Sequence, residues 1–346
     1  MVHKSLAVPK TMKACCYSSF GRLHFRWMEN ASVPSVGKND ILVKVSGSSV
    51  NHMDYFSAQI PPVRMLRHHK SGGFDLSGMV VQVGAKEKKF KPGDRVFGLG
   101  QGFAEYACVK PWMIAHVPPT LPDLQALGAY PSVATTALQI LNKYWLKRAF
   151  PDRVSRVVVI GASGGVGSCV TQLTKALGPS RDLKITAVSS GKHEAFCRSQ
   201  GASDFVDYTK LSDHKLSRAI ERGSVDLIID TVSGNIGTPN YVDDAKTLLN
   251  HTGVYVSTNS LRPRDYAEKF ITMLLGESPL NHSFELFMMN PFSAHDDLEE
   301  IAKLVAENKL KVHIQESVSF TDESMRRALE KIEHRHMAGK INIVVS

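Results

Sequence analysis

Short runs in which apolar and polar positions alternate dominate the first third of the chain. Ile41-Leu42-Val43-Lys44-Val45, Gly78–Val83, Arg95-Val96-Phe97 and Ala104–Val109 read as strands, with Ala14-Cys15-Cys16-Tyr17 as an earlier one. Gly37, Gly84, Pro92-Gly93-Asp94 and Gly100-Gln101-Gly102 separate them, and these residues suit turns. Many short strands punctuated in this way predict a small barrel-like β domain.

The rhythm changes near Pro118-Pro119. Compact apolar runs at Val157–Ile160, Leu183–Val188, Val225–Ile229 and Val254–Ser257 then alternate with amphipathic stretches. The periodicity predicts helices over 132–146, 165–177, 192–200, 211–222 and 239–250. Strands that are apolar throughout, each followed by a helix, predict a parallel sheet covered on both faces. The chain closes with helical patterns at 296–308 and 322–334 and a strand at Ile341–Val345. No internal repeat interrupts the pattern.

Length and composition narrow the class. A chain of 346 residues is long enough for two domains, and 43% hydrophobic with 22% charged residues is the balance of a folded globular protein. No uninterrupted apolar run reaches the length of a membrane-spanning helix. The net charge of +9 favours anionic ligands. The basic clusters Arg67-His68-His69-Lys70 and Lys86-Glu87-Lys88-Lys89 are short and read as solvated loops, and no nucleic-acid motif accompanies them. Five cysteines without a C-x-x-C pair point to a reducing compartment. The first 28 residues hold bases and no acid, as a presequence would, but a strand already begins near Ala14. A cytoplasmic location is expected, with a mitochondrial one as the alternative.

The most informative run is Val157-Val158-Val159-Ile160-Gly161-Ala162-Ser163-Gly164-Gly165-Val166-Gly167-Ser168. An apolar strand enters a glycine-rich turn and leaves as a helix, with Gly161, Gly164 and Gly167 three residues apart. Missing β-carbons let the backbone approach a pyrophosphate at a helix N-terminus, where free N–H groups and the helix dipole favour negative charge. The pattern predicts a dinucleotide site, with backbone and hydroxyl contacts from Ser163, Gly164, Gly165 and Val166.

The end of the second strand separates the two nicotinamide cofactors. NAD sites place a carboxylate there for the ribose hydroxyls, whereas this chain reads Ala187-Val188-Ser189-Ser190-Gly191-Lys192-His193. Hydroxyls from Ser189 and Ser190 and the ammonium of Lys192 suit a 2′-phosphate, and Tyr208 can close over the adenosine. NADP(H) is expected. The competing interpretation is a polar helix cap followed by a solvated lysine.

Several motifs together resemble the medium-chain dehydrogenase/reductase superfamily, in its zinc-free quinone oxidoreductase branch. They are Val50-Asn51-His52-Met53-Asp54, Gly73–Val80, Phe90-Lys91-Pro92-Gly93-Asp94-Arg95-Val96, Gly102–Tyr106, Thr136-Ala137-Leu138, the glycine loop and His336-Met337-Ala338-Gly339-Lys340. Within that branch the chain looks most like the reticulon-interacting mitochondrial oxidoreductases and the plant chloroplast-envelope quinone oxidoreductase homologues. The resemblance implies an α/β fold: a Rossmann doubly wound parallel sheet at 123–290, and a GroES-like β-barrel domain formed by 1–122 and 291–346. It implies an active site in the cleft between them, and a homodimer.

Zinc-dependent relatives hold a catalytic metal with Cys, His and a further Cys or acid. Aligned on their motifs, this chain has Asn51 at the first ligand position, Phe74 at the second, and Pro131-Ser132 near the third. No metal is expected. Without one, a substrate carbonyl is polarised by hydrogen bonds, which suits quinones and conjugated enones because hydride addition spreads the oxyanion.

The resemblance implies further roles. Thr231 and Thr258 flank the cofactor from the ends of the fourth and fifth strands, and Thr136 lies near the carboxamide. Phe287 and Met288 pack against the nicotinamide half, with ordinary core as the alternative. His336, Met337 and Ala338 reach the cofactor from a C-terminal loop. On the substrate side, Asn51 can donate to the oxyanion or merely close an Asx-turn. Many relatives carry a tyrosine five residues after this asparagine; here Phe56 stands there and Tyr55 lies one residue earlier. The stretch Gln59–Lys70 rims the substrate pocket. The expected activity is NADPH-dependent reduction of quinones or α,β-unsaturated carbonyls. The alternative is an NADPH-binding interaction or RNA-binding protein, as zeta-crystallins of the same branch suggest.

Overall fold

In the computed structural model, residues 8–18, 24–59, 70–121, 123–146, 155–178, 182–234, 238–260, 284–334 and 337–346 are described. The chain separates into two units, Met1–Thr135 with Asn290–Ser346, and Thr136–Met289.

The alternating runs of the first unit pair into a seven-stranded sheet. Its path is Ile314–Ser319, Lys340–Val344, Ile41–Ser49, Asp75–Val83, Arg95–Leu99 and Ile114–His116. The seventh strand, Tyr106–Val109, pairs with residues 41–44 of Ile41–Ser49, while residues 47–49 on the same edge pair with Asn342–Val344. One central strand is thus shared by partners from distant parts of the chain. Ile41, Val43, Val45, Leu76, Val80, Val96 and Ile114 pack into one core. A second core gathers Val50, Phe103, Met325, Leu329, Ile341 and Ile343 under the helix Asp322–His334. The hairpin of Thr11–Tyr17 and Phe25–Ser32 joins through bridges from Ala14 to Ala104 and from Cys16 to Ser71.

The second unit holds six parallel strands in the order Asp204–Asp207, Leu183–Ser189, Ser155–Ile160, Val225–Asp230, Leu249–Ser257 and Phe284–Leu286. The chain runs outward in one direction from Ser155–Ile160, then returns to its other side. The switch point lies between Ser155–Ile160 and Val225–Asp230, where doubly wound sheets bind ligands. Val158, Ile160, Val188, Ile228, Leu248 and Tyr255 form part of the core.

Two helical expectations are corrected. The segment 211–222 forms isolated 3-10 turns at Ser212–His214 and Leu216–Arg218, because Asp213 (φ 58°) and His214 (φ 52°) take left-handed backbone that no α-helix accommodates. The segment 239–250 yields only Val242–Lys246, since strand Leu249–Ser257 begins five residues earlier than its apolar run suggests. Leu249 pairs with Val225, and Asn250 donates to Asp226 at 2.8 Å, so polar residues extend the strand. Among the described residues, no helix is long and apolar enough to cross a membrane.

Candidate active site

The glycine loop is built by backbone. Strand Ser155–Ile160 turns at Gly161 (φ 81°), and the N–H groups of Gly161 and Ala162 donate to the Val188 carbonyl at 3.0 and 3.2 Å. A β-carbon on Gly161 would lie 2.3 Å from Thr231 Oγ1, and one on Gly167 would lie 2.2 Å from the Gly161 carbonyl oxygen. These two positions exclude side chains because strand, helix and neighbouring loop converge there. Gly164 is different: its nearest obstruction is the Gly161 carbonyl at 3.3 Å, and it starts helix Gly165–Leu177 without a side-chain cap. The first N–H groups of the helix therefore have no intrahelical acceptor. A cradle of small residues beneath uncapped N–H groups fits a dinucleotide pyrophosphate.

Side chains tie this turn to the second strand. Ser189 Oγ donates to Ser163 Oγ at 2.8 Å, and both residues are buried. Ser190 precedes the 3-10 turn Gly191–His193, caps nothing with its side chain, and leads to an exposed Lys192. Tyr208 is half-buried after Asp204–Asp207, the strand paired in parallel with Leu183–Ser189.

That pairing alters the electrostatics expected from sequence. Asp207 is registered beside Ser189, and its carboxylate lies against the Gly191 turn. The loop after the second strand has no acid of its own, but its spatial neighbour brings one. The Thr209 hydroxyl hydrogen bond, above all, holds the Asp207 carboxyl below its ordinary range, so it is ionised at neutral pH.

At the switch point, Asp230 organises the next loop. Its Oδ1 accepts from the N–H groups of Val232 (2.7 Å) and Ser233 (2.9 Å), and its Oδ2 accepts from the buried Tyr255 hydroxyl. Burial pushes the Asp230 carboxyl up. Thr231 donates through Oγ1 to the Ile160 carbonyl at 2.9 Å, and the Thr258 N–H donates to the Asp230 carbonyl at 3.0 Å. Both threonines are thus fixed at strand ends. Phe287 is buried, Met288 is 44% exposed, and Thr136 is half-buried on helix Pro131–Tyr144. Asp230 and Asp207 escaped the sequence reading. A carboxylate ending an apolar strand was the available signal in each case.

In the first unit, Asn51 is the hub of a buried network. Its Nδ2 donates to Asp75 Oδ2 at 2.8 Å and, more weakly, to the Ser49 carbonyl at 3.4 Å. Its Oδ1 accepts from Ser132 Oγ at 3.0 Å and from Lys340 Nζ at 2.5 Å, so the amide orientation is fixed. Asp75 also accepts from Ser49 Oγ (2.6 Å) and the Ser132 N–H (2.7 Å), and shares the single Ser132 hydroxyl proton (2.9 Å) with Asn51 Oδ1. Lys340 lies 3.5 Å from Asp75 and donates to the Val50 carbonyl at 2.8 Å; the two residues are 4% and 0% exposed. Beside them, the Asn51 N–H donates to Asp54 Oδ2 at 2.8 Å, and burial pushes the Asp54 carboxyl up to about 8.

Two of the positions equated with metal ligands, Asn51 and Ser132, do come together, but beside an ammonium. Asn51 and Ser132 are bonded to Asp75 and Lys340, Phe74 offers no lone pair, and a lysine cation opposes a dication. These residues do not fit a zinc site. Among the described residues, no group of three or more His, Cys, Asp or Glu side chains could hold a metal ion. Tyr55, on helix His52–Gln59, donates to Glu333 Oε1 at 3.0 Å. Met337 packs against the second core of this unit, and the Ala338 N–H donates to Gln315 Oε1 at 2.7 Å. His336 and most of Gln59–Lys70 lie outside the described residues.

The chain matches two known protein families. Residues 37–119 match the alcohol dehydrogenase GroES-like domain, and residues 200–343 match a family described as zinc-binding dehydrogenase. The chain is 30% identical over 354 residues to the human mitochondrial NAD(P)H oxidoreductase RTN4IP1, covering 92% of this chain and 86% of that protein. It is 31% identical over 223 residues to the chloroplastic NADPH-dependent alkenal/one oxidoreductase of Arabidopsis thaliana, covering 59% of this chain and 54% of that one. The solved quinone oxidoreductase of Coxiella burnetii superposes with a TM-score of 0.78 at 25% identity, over 97% of this chain and 100% of that chain.

Proposed function

The chain belongs to the medium-chain dehydrogenase/reductase superfamily, in its quinone oxidoreductase branch, and from that premise we propose that it is an NADPH-dependent, zinc-independent reductase of quinones or α,β-unsaturated carbonyls. The observation that carries the proposal is the glycine-rich cradle at Gly161–Gly167, opening on an uncapped helix at the sheet's switch point. The activities for which these relatives are named support the substrate class.

A reduced nicotinamide, when bound, supplies the hydride. The chain's own residues bind and orient. The uncapped N–H groups of Gly165 and Val166, with the Ser163 hydroxyl beside them, hold the pyrophosphate, while Ser190, Lys192 and Tyr208 take the 2′-phosphate. The anchored Thr231 and Thr258 hold the strand ends against the cofactor. Asn51 stabilises the reduced substrate: its N–H toward Ser49 makes a long bond at 3.4 Å and can be redirected to an oxyanion, while Asp75 retains the other. Tyr55 is already bonded to Glu333, so a hydroquinone takes its proton from water.

The test is loss of NADPH absorbance in the presence of a panel of quinones and enones, with NADH in parallel. Turnover with NADPH is expected, along with loss of reduction but not of cofactor binding in Asn51→Ala. NADPH binding without oxidation by any acceptor would overturn the enzymatic proposal in favour of a binding protein. Equal use of NADH would overturn the assignment of the 2′-phosphate site.

A further inference from the structure

The ionised Asp207 sits where a second negative charge is least expected. Strands Leu183–Ser189 and Asp204–Asp207 are parallel neighbours, with Asp207 opposite Ser189, so their following turns leave the sheet side by side. One turn carries Ser190 and Lys192, and the other carries Tyr208 and Lys210. Asp207 engages both. Its Oδ1 accepts from the Thr209 N–H at 3.0 Å and the Thr209 hydroxyl at 2.7 Å, closing the second turn. Its Oδ2 faces the first turn, where a β-carbon on Gly191 would stand 2.4 Å from it, and the nearby Gly191 N–H helps to hold the carboxyl low. Lys210 Nζ lies 3.9 Å from the same oxygen. Glycine at 191 and aspartate at 207 are therefore a matched pair, since any side chain at 191 would drive the carboxylate away.

We infer that Asp207 is a positioning residue for the adenosine 2′-phosphate: its carboxylate clasps the Gly191 turn against the Thr209 turn so that Ser190, Lys192 and Tyr208 face one phosphate. The carboxylate directs its oxygens to donors of the protein and leaves the hydroxyl and ammonium groups to the ligand. The inference rests on the NADPH assignment above. It adds a determinant that makes no contact with the cofactor.

The test compares NADPH and NADH binding by fluorescence titration, and their KM and kcat, in wild-type protein, Asp207→Ala, Asp207→Asn and Gly191→Ala. Asp207→Ala is expected to weaken NADPH by about tenfold, the scale of one charge-assisted hydrogen bond. NADH should change by less than about twofold, with the loss confined to KM for NADPH. Gly191→Ala should reproduce that selective loss, and the double variant Gly191→Ala/Asp207→Ala should lose less than the sum of the two. Asp207→Asn keeps the Thr209 acceptor but turns an amide toward the Gly191 N–H, so a smaller loss of the same sign is expected.

Tighter NADPH binding in Asp207→Asn would show simple charge repulsion and overturn the inference. Equal weakening of NADPH and NADH would overturn it too, since that is the mark of a structural role alone. If wild-type protein prefers NADPH and every variant keeps that preference, only this inference fails. If wild-type protein shows no preference, the NADPH assignment fails and takes the inference with it.

Discussion

The network around Asn51 and the glycine loop at Gly161 handle polarity in opposite ways. The first is made of side chains that satisfy one another: a carboxylate, an ammonium, an amide and two hydroxyls, with Asp75 and Lys340 withdrawn from water. The second is made of backbone, kept clear by missing β-carbons, and its helix N–H groups await an acceptor. A closed network of that kind fixes shape and resists the loss of its charged members. An open cradle is sensitive to anything that fills it. The contrast separates polarity satisfied within the protein from polarity left for a ligand.

Breaking the closed network should have the largest effect. Lys340→Met leaves Asp75 and Asn51 buried without their cation and should lower stability by about 3–5 kcal/mol. The measurement is the urea midpoint, and adding Asp75→Asn should recover part of the loss. A midpoint unchanged by Lys340→Met would show that the cluster is not closed in solution. Filling the open cradle comes next. Gly161→Ala forces a side chain into left-handed backbone against Thr231, which should cost about 1–3 kcal/mol and abolish saturable NADPH binding in a fluorescence titration.

A different kind of effect is a slope with pH. Asp54 has a carboxyl raised to about 8 in the folded protein, against an ordinary 3.8 in the unfolded chain. The folded state therefore binds more protons between these values. The stability from this residue is full below about pH 4, falls as pH rises toward 8 by up to about 1.4 kcal/mol per pH unit, and levels off above it. Asp54→Asn should flatten that part of the profile, as urea midpoints across pH would show. The smallest change links two elements of the cradle. Ser189→Ala removes the bond to Ser163 and should cost about 1 kcal/mol of stability, with a severalfold rise in the KM for NADPH.

The two regions also differed in how readable they were. The cradle lies within twelve consecutive residues, so strand, turn and helix could be recognised together from Val157 to Ser168. The Asn51 network draws Lys340 from 289 residues away, and no local pattern announces that pairing. Asp75 and Lys340 were both visible inside family motifs, yet nothing in the sequence said that they meet. Asp207 shows the same limit within the second unit. Only the parallel pairing of two strands reveals that its carboxylate reaches the turn at Gly191. The failed helix at 211–222 has a different cause, because left-handed backbone at Asp213 and His214 leaves no trace in an apolar count.

The shared edge of strand Ile41–Ser49 bears on how the protein is made. On that edge, residues 47–49 pair with Asn342–Val344, which are made almost 300 residues after them. The second unit, continuous from Thr136 to Met289, can close while synthesis is still under way, whereas the first must wait with part of a central strand unpaired. Until Lys340–Val344 emerge, the nascent chain thus offers an open β edge and a carboxylate at Asp75 whose cation does not yet exist. Their arrival is the event that lets this half of the molecule complete its sheet.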